Sequence, residues 1–255
     1  MIDTHIHLDA DQYADVADVI KRSRAAGVDG VLAVGSSPDS NRRVLALAEA
    51  YRGFVHPALG MHPERPDLSD ADFDATLAMI DVRRESICAI GEVGLPYYGD
   101  AAKDPDFVAV TRARLARFAS EAARLDLALC LHCPQEAASE ALRIITRAGV
   151  RRAVFHWHKS DEATTRAIVD AGYFISITPE VVYRERDREL ARIVPLAKLL
   201  VETDGPWPHD GPFAGKLTEP AMIASSIEAI AEIKGENPAS VADATASNAR
   251  RLFHI

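Results

Sequence analysis

The segment that decides the fold is MIDTHIHLD, residues 1–9. Its apolar residues at positions 2, 6 and 8 predict a short buried strand. Alternate side chains of a strand face the same way, so His5 and His7 are expected to point to one side. Two imidazoles on one rigid strand are half of a metal site, because neutral imidazole is the commonest metal ligand. For this segment alone, a pair of hydrogen-bonded core histidines is the alternative.

Strand-like and helix-like segments alternate along the rest of the chain with little filler. After the opening strand, near-continuous apolar strands are predicted at 28–34, 54–59, 87–90, 127–132, 152–156, 173–178 and 198–204. Amphipathic helices are predicted at 16–26, 39–51, 73–83, 107–125, 136–148, 161–171, 187–193, 219–234 and 238–252. Apolar strands that alternate with such helices are typical of a parallel sheet covered by helices.

Eight strand–helix units in 255 residues fit the (β/α)8 TIM barrel of the α/β class better than an open, doubly wound sheet. A doubly wound fold usually has a Gly-rich phosphate loop after its first strand, and residues 9–11 read Asp-Ala-Asp. No linker, low-complexity run or internal repeat divides the chain. We therefore expect residues 1–255 to form a single TIM-barrel domain, with its active site at the C-terminal ends of the strands.

The composition indicates a globular protein, with 48% hydrophobic and 26% charged residues. No apolar run is long enough to cross a bilayer, and the N-terminus lacks a signal-peptide pattern. Three cysteines give no disulfide framework, which favours the cytoplasm. The net charge of -9 argues against a broad basic surface for nucleic acid. It does not exclude a local site where metal cations supply positive charge.

Histidines and acids collect where the predicted strands end. The residues at these positions are His5, His7, His62, Glu92, His132, His156 and Asp204. In a parallel barrel all these ends open on one face, where barrel enzymes place their chemistry. Five of the nine histidines are therefore expected to meet two acids at one mouth. The sequence predicts a metal site there.

The ligand types indicate the ions and their number. A set of imidazole and carboxylate ligands without thiolate can bind zinc, manganese, nickel or iron, and its carboxylates can also bind magnesium. Four histidines and two acids are too many for one catalytic ion with an open position, so two bridged ions fit better. Glu92, near the middle of the strand order, is the natural bridge. Asp204 is expected to bind one ion and accept a proton from the attacking water, with a helix cap as the structural alternative.

Four ordered blocks resemble the signature motifs of the TatD family: DTHIHLD at 3–9, GMHP at 60–63, IGEVGL at 90–95 and VETDGP at 201–206. The segments TEP at 218–220 and NARRLF at 248–253 extend the resemblance to the end of the chain. Members of that family are metal-dependent deoxyribonucleases within the amidohydrolase-type barrels. The resemblance implies a (β/α)8 barrel, a two-metal centre and hydrolysis of DNA phosphodiester bonds, on a single strand or an end.

The resemblance also implies individual roles by position. It implies one ion on His5, His7 and Asp204, a second on His132 and His156, and Glu92 between them. It places His62 near the scissile phosphate rather than on a metal. The expected catalytic residues are therefore Asp204, Glu92 and His62.

Three substrate-facing segments depart from the family pattern. Pro96 stands where the fourth block usually has an acid, and Pro134 stands where a His-x-Arg block has its arginine. The block that usually reads HCFSG reads HWHKS at 156–160. His158 and Lys159 are expected to bind substrate in place of the lost arginine, because a lysine can hold phosphate as a point charge. The alternative for both residues is a solvated loop.

Other functions stay open on the sequence alone. The same chemistry could act on a small phosphoester, amide or lactone, or the barrel could have lost catalysis and only bind. The spacing of Cys130 and Cys133 is that of a redox motif, but no helix N-terminus is expected to activate it. The mixed-charge run at 184–189 is interpreted as a solvated segment. Nothing implies a membrane or a stable protein partner.

Overall fold

The computed structural model describes residues 1–255, and all its strands lie in one parallel sheet whose strands pair in chain order. The strands are β1 (Ile2–Ile6), β2 (Gly30–Val34), β3 (Val55–Leu59), β4 (Ala89–Gly94), β5 (Ala128–His132), β6 (Ala153–Phe155), β7 (Phe174–Ile177) and β8 (Leu199–Val201). This arrangement confirms the predicted TIM-barrel class.

Helices cover the outside of the sheet between successive strands. They are α1 (Val16–Ala25), α2 (Pro38–Ala50), α3 (Asp70–Arg83), α4 (Pro105–Leu125), α5 (Ala137–Arg147), α6 (Glu162–Asp170), α7 (Glu185–Ile193), α8 (Ile223–Lys234) and α9 (Pro238–Phe253). None of them combines the length and the apolar character that a membrane span needs.

Two strands differ from their predicted bounds in ways that matter for the site. β4 continues past the predicted end at residue 90, so Glu92 lies inside the strand. The glycines in this extension are not apolar enough for a hydropathy pattern to include them in the strand. They allow close strand packing, because a Cβ at Gly91 would lie 2.5 Å from the Cβ of Cys130. β8 instead ends at Val201, and Asp204 follows with a left-handed φ of 52°.

The interior of the barrel is built from alternate residues of the strands. The smaller of two buried clusters contains Ala128 and Cys130 of β5, Val154 of β6 and Leu200 of β8. Phe253 of α9 belongs to the same cluster. Because side chains alternate along a strand, the next inward positions above this layer are residues 132, 156 and 202.

Buried polar groups join β1 to the segment that follows β8. Oδ1 of Asp3 accepts hydrogen bonds from the backbone N–H groups of His5 and Thr203, at 3.2 and 3.0 Å. Oδ2 of Asp3 lies 2.5 Å from the hydroxyl of Thr203. The hydroxyl of Thr4 donates to the carbonyl of Val201 at 2.9 Å. These bonds fix the first and last strands in one register at the mouth of the barrel.

Replacement of Asp3 tests this closure. Asp3→Ala leaves two buried N–H groups without their acceptor, so we expect it to lower the free energy of unfolding by about 3 kcal/mol. Asp3→Asn keeps an oxygen acceptor and should lower it less. Urea denaturation measures both, with Asp74→Ala on the exposed face of α3 as the control that changes it by less than ~0.5 kcal/mol. A loss for Asp3→Ala no larger than the control's would contradict the proposed closure.

Candidate metal centre

Glu92 lies at the centre of the site, with its two carboxylate oxygens facing different histidines. Its side chain is 1% exposed. Oε2 lies 3.5 Å from Nε2 of His5 and 3.2 Å from Nε2 of His7. Oε1 lies 2.9 Å from Nδ1 of His132 and 2.8 Å from Nε2 of His156. Each oxygen of one buried carboxylate thus faces a different pair of imidazoles, and the rings of His5 and His156 stack on each other at 3.8 Å.

Asp204 stands on the side of the first pair. Its Oδ1 lies 3.5 Å from Nε2 of His5 and 3.7 Å from Nε2 of His7. Its backbone N–H donates to the carbonyl of His5 at 2.9 Å, so the strand closure positions this carboxylate. The six residues predicted as metal ligands therefore meet around Glu92.

The donor set fits divalent cations. Two atoms that bind one ion at about 2.1 Å, with tetrahedral or octahedral angles, lie about 3.0–3.4 Å apart, close to the separations found here. Nε2 of His5 and Oε2 of Glu92 are buried without any hydrogen-bond partner. Buried polar atoms are rarely left unpaired, and a shared cation would satisfy both. Three groups have the spacing of metal ligands: His5, His7 and Glu92; His62, Glu92 and His132; and His5, His156 and Glu202.

The charges within the site depend on one another. Burial opposes ionisation of Glu92, but its electrostatic interaction with the imidazoles of His62, His156 and His5 outweighs burial and holds the pKa of Glu92 well below its usual value. Burial would lower the pKa of His7, yet the Glu92 carboxylate 3.2 Å from its Nε2 and the nearby Asp204 and Asp9 raise that pKa to about 9. Burial, together with the charge of His156, lowers the pKa of His5, and burial, together with the charge of Glu92, raises that of Asp204. Glu92 is therefore stabilised in its ionised form by the imidazoles around it.

Glu202 is a functional candidate that the sequence reasoning missed. This fully buried carboxylate accepts hydrogen bonds from the N–H of Trp157 and the hydroxyl of Ser176, both at 2.6 Å. Its Oε1 lies 3.5 Å from Nδ1 of His156, the ring nitrogen that points away from Glu92. A carboxylate in this position orients a metal-binding imidazole. The available signal was its inward position two residues after Leu200.

Glu64 is the second missed residue, and it stands behind His132. Its Oε1 lies 3.3 Å from Nε2 of His132 and accepts the N–H groups of Tyr97 and Tyr98, both at 2.9 Å. Each histidine of the second pair thus has one ring nitrogen toward Glu92 and the other toward an outer carboxylate. No motif in the sequence indicated this second contact.

His62 follows β3 and lies at the cavity with a defined tautomer. Its Nδ1 accepts the N–H of Glu64 at 3.1 Å, so in the neutral ring the proton is on Nε2. That nitrogen lies 3.4 Å from Oε1 of Glu92. Burial lowers the pKa of His62, which favours the neutral ring. His62 therefore presents an N–H donor beside the candidate metal ligands.

An open cavity of about 680 Å³ lies above these residues. Its walls come from the loops at the C-terminal ends of the strands and include the side chains of Tyr98, Trp157, Lys159 and Trp207. Trp207 is 59% exposed at the rim. The cavity therefore joins the candidate metal centre to an aromatic and charged entrance.

Two arginines of the mixed-charge run also line the cavity. Arg184 and Arg186 pair with the buried carboxylate of Glu180, at 2.7 and 2.6 Å. Their side chains are 44% and 43% exposed, which agrees with the interpretation of this run as a solvated segment, but they also border the cavity. No local pattern predicted this position, because Glu180 anchors both arginines from a short turn after β7 that only the fold places at the mouth.

His158 does not lie at the cavity, contrary to its expected role in substrate binding. Its side chain is buried, and its Nε2 lies 2.9 Å from the hydroxyl of Thr165 in α6. Burial lowers the pKa of His158 to about 4, so the ring is neutral at physiological pH. The turn after β6 directs His158 toward α6 and leaves Lys159 at the cavity wall.

Comparison with known proteins identifies the family of the chain. The family described as TatD related DNase matches residues 2–254. A Mycobacterium tuberculosis protein named as the uncharacterized metal-dependent hydrolase TatD is 34% identical, with 100% of this chain and 98% of that protein covered. The 3'-5' ssDNA/RNA exonuclease TatD of Erwinia amylovora is 31% identical, with both chains covered completely.

Comparison of structures points to the same family. The crystal structure of the TatD homologue YjjV from Escherichia coli superimposes with a TM-score of 0.91 at 26% sequence identity. The match covers 100% of this chain and 98% of that one. The sequence match and the structural match extend over the same full length. The chain belongs to the TatD-related DNase family of metal-dependent hydrolases.

Proposed function

We propose that this hydrolase cleaves phosphodiester bonds of DNA, acting on a single strand or a strand end. The observation that carries the proposal is the placement of Glu92, whose two oxygens face separate pairs of imidazoles at the bottom of one cavity. A carboxylate placed in this way suits a two-metal site, and two-metal sites are typical of nucleases and phosphatases. The Erwinia relative, named as a single-strand exonuclease, supports the choice of substrate.

We assign six residues to two divalent ions. His5, His7 and Asp204 would hold one ion, His132 and His156 would hold the other, and Glu92 would contact both. The donor set is compatible with zinc, manganese, nickel or magnesium. When bound, such ions neutralise charge on the phosphate and lower the pKa of the attacking water.

The side chains that move or hold protons are Asp204 and His62. Asp204 lies at the cavity with one carboxylate edge toward His5 and His7, and it would accept the proton that the attacking water loses. His62 would donate its Nε2 hydrogen to a non-bridging phosphate oxygen as negative charge develops there. The hydrogen bond from the N–H of Glu64 to Nδ1 of His62 fixes the ring in the orientation needed for this donation.

The shape of the cavity favours a strand end over the middle of a duplex. Its volume of about 680 Å³ falls within the range of small-molecule pockets, which limits the substrate portion that reaches Glu92. Tyr98 and Trp207 lie at its walls, where unpaired bases can stack on aromatic rings. Paired bases cannot offer their faces in this way.

A hydrolase of a small phosphoester, amide or lactone is the second candidate. The carboxylates of Glu64 and Glu180 line the cavity, and the chain carries a net charge of -9. Both features disfavour a long polyanion relative to a small substrate. Pro134 also stands where the family pattern has an arginine.

Both candidates are tested with the protein loaded in turn with zinc, manganese, nickel and magnesium. Single-stranded oligonucleotides labelled at either end report nucleotide release, and a matched duplex reports the preference for unpaired ends. A panel of small phosphodiesters and lactones is assayed in parallel. Release of nucleotides from the single strand supports the nuclease. Turnover of a small substrate by metal-loaded protein that leaves DNA intact would select the second candidate.

Glu92→Gln keeps the shape of the side chain but removes the charge shared by both metal positions. We expect bound metal per chain to fall and kcat/KM to drop by at least about a hundredfold, while the fold is retained. Elemental analysis by mass spectrometry, kinetics and circular dichroism measure the three quantities. Glu228→Gln on the exposed face of α8 is the control. Full metal content and activity in Glu92→Gln would rule out a bridging role.

His62→Ala separates a substrate contact from a metal ligand. Loss of the Nε2 donor should lower kcat by about a hundredfold and leave the metal content unchanged. His158→Gln removes a buried imidazole outside the cavity, so its kcat should stay within about threefold of the wild-type value. Release of metal by His62→Ala would show that His62 is a ligand. A large kcat loss in His158→Gln would restore its expected role in substrate binding.

A further inference from the structure

Lys159 is the cation of the cavity that has no carboxylate partner. Arg184 and Arg186 share Glu180, at 2.7 and 2.6 Å, and Arg186 also pairs with Asp187 at 2.8 Å. Lys159 lines the same cavity but forms no ion pair and no hydrogen bond; its ammonium group lies over an aromatic ring. The positive charge of the two arginines is compensated within the protein, and that of Lys159 is not.

The ring beneath Lys159 is held in place from two sides. Nζ of Lys159 lies 3.6 Å from the centroid of the Trp157 ring. The backbone of Trp157 adopts a left-handed φ of 37°, which is unfavourable for a bulky residue. Its N–H donates to Oε1 of Glu202 at 2.6 Å, and its indole N–H donates to Oε2 of Glu180 at 3.0 Å. Two buried carboxylates thus hold an unfavourable conformation that places the ring under the ammonium group.

This arrangement leaves the ammonium group able to bind an anion. A cation–π contact stabilises the charge without occupying all of the N–H donors, so the donors of Lys159 that do not face the ring remain available. The side chain is only partly exposed, and a partly desolvated cation gains most from a charged hydrogen-bond acceptor. Glu180 is occupied by the indole and two arginines, which prevents it from neutralising Lys159.

We propose that Lys159 and Trp157 form a subsite for a second phosphate of the strand, next to the phosphate that is hydrolysed. Lys159 stands three residues after His156 on the same loop, so the subsite adjoins the candidate metal centre without belonging to it. Its ammonium group lies beyond ion-pair distance of Glu92 and Asp204, which leaves the scissile phosphate to the metal-binding residues and His62. This inference rests on the proposed function, because it takes a nucleotide strand as the ligand.

Dinucleotides that differ only in a terminal phosphate test the subsite. Thymidine dinucleotides with a 5′-phosphate, a 3′-phosphate or neither are prepared with a phosphorothioate linkage, which slows cleavage. Their binding to the metal-loaded full chain is followed by tryptophan fluorescence. We expect one terminal phosphate to tighten binding to wild-type protein about tenfold. In Lys159→Gln this advantage should fall to less than about twofold, while binding of the dinucleotide without a terminal phosphate changes little.

Two further variants complete the test. Lys159→Arg keeps the charge and should retain most of the phosphate advantage. Lys21→Gln removes one exposed charge on α1, outside the cavity lining, and should retain all of it. An advantage of equal size in wild type and Lys159→Gln, or none in wild type, would overturn the subsite. A phosphate advantage that depends on Lys159, in a protein that cleaves no DNA, would support the subsite while contradicting the proposed nuclease.

Discussion

The contact on which the site depends is that of one buried carboxylate, Glu92, with imidazoles on both of its oxygens. A carboxylate inside a barrel carries a large desolvation cost and persists only where positive charge surrounds it. Histidines from β1, β5 and the end of β6 supply that environment, each directing one ring nitrogen at Glu92. The same geometry leaves Nε2 of His5 and Oε2 of Glu92 buried without hydrogen bonds. A bound cation would satisfy both atoms.

The barrel produces this convergence by simple alternation. Inward positions on β5 run from Ala128 through Cys130 to His132, and those of β6 run from Val154 to His156. The lower positions are apolar and close the core, whereas the top positions are ionisable and open to the mouth. Stability and chemistry therefore occupy different layers of the same strands, as expected for this fold. The hydrogen bonds of Asp3 then tie the last strand to the first and bring Asp204 to the same layer.

A second set of contacts around the cavity is formed by carboxylates that position the side chains next to them. Glu202 and Glu64 stand behind His156 and His132, where they face the ring nitrogens that do not point at Glu92. Glu180 holds two arginines and the indole of Trp157. These acids neutralise or position their neighbours, so the negative net charge of the chain does not by itself describe the cavity. The positive charge of Lys159 has no carboxylate partner there, and it is the charge with which the entrance would bind an anion.

The sequence by itself determined the barrel and the meeting of the six metal-binding candidates, because strand periodicity and parallel topology together place every strand end on one face. It also identified the family, through motifs that lie at those ends. Tertiary structure decided the partners of each side chain: it turned His158 toward Thr165, brought Arg184 and Arg186 to the mouth, and placed Glu64 and Glu202 behind the histidines. Loop residues lack the fixed period of a strand, so their directions follow from packing against distant elements, which no local pattern encodes.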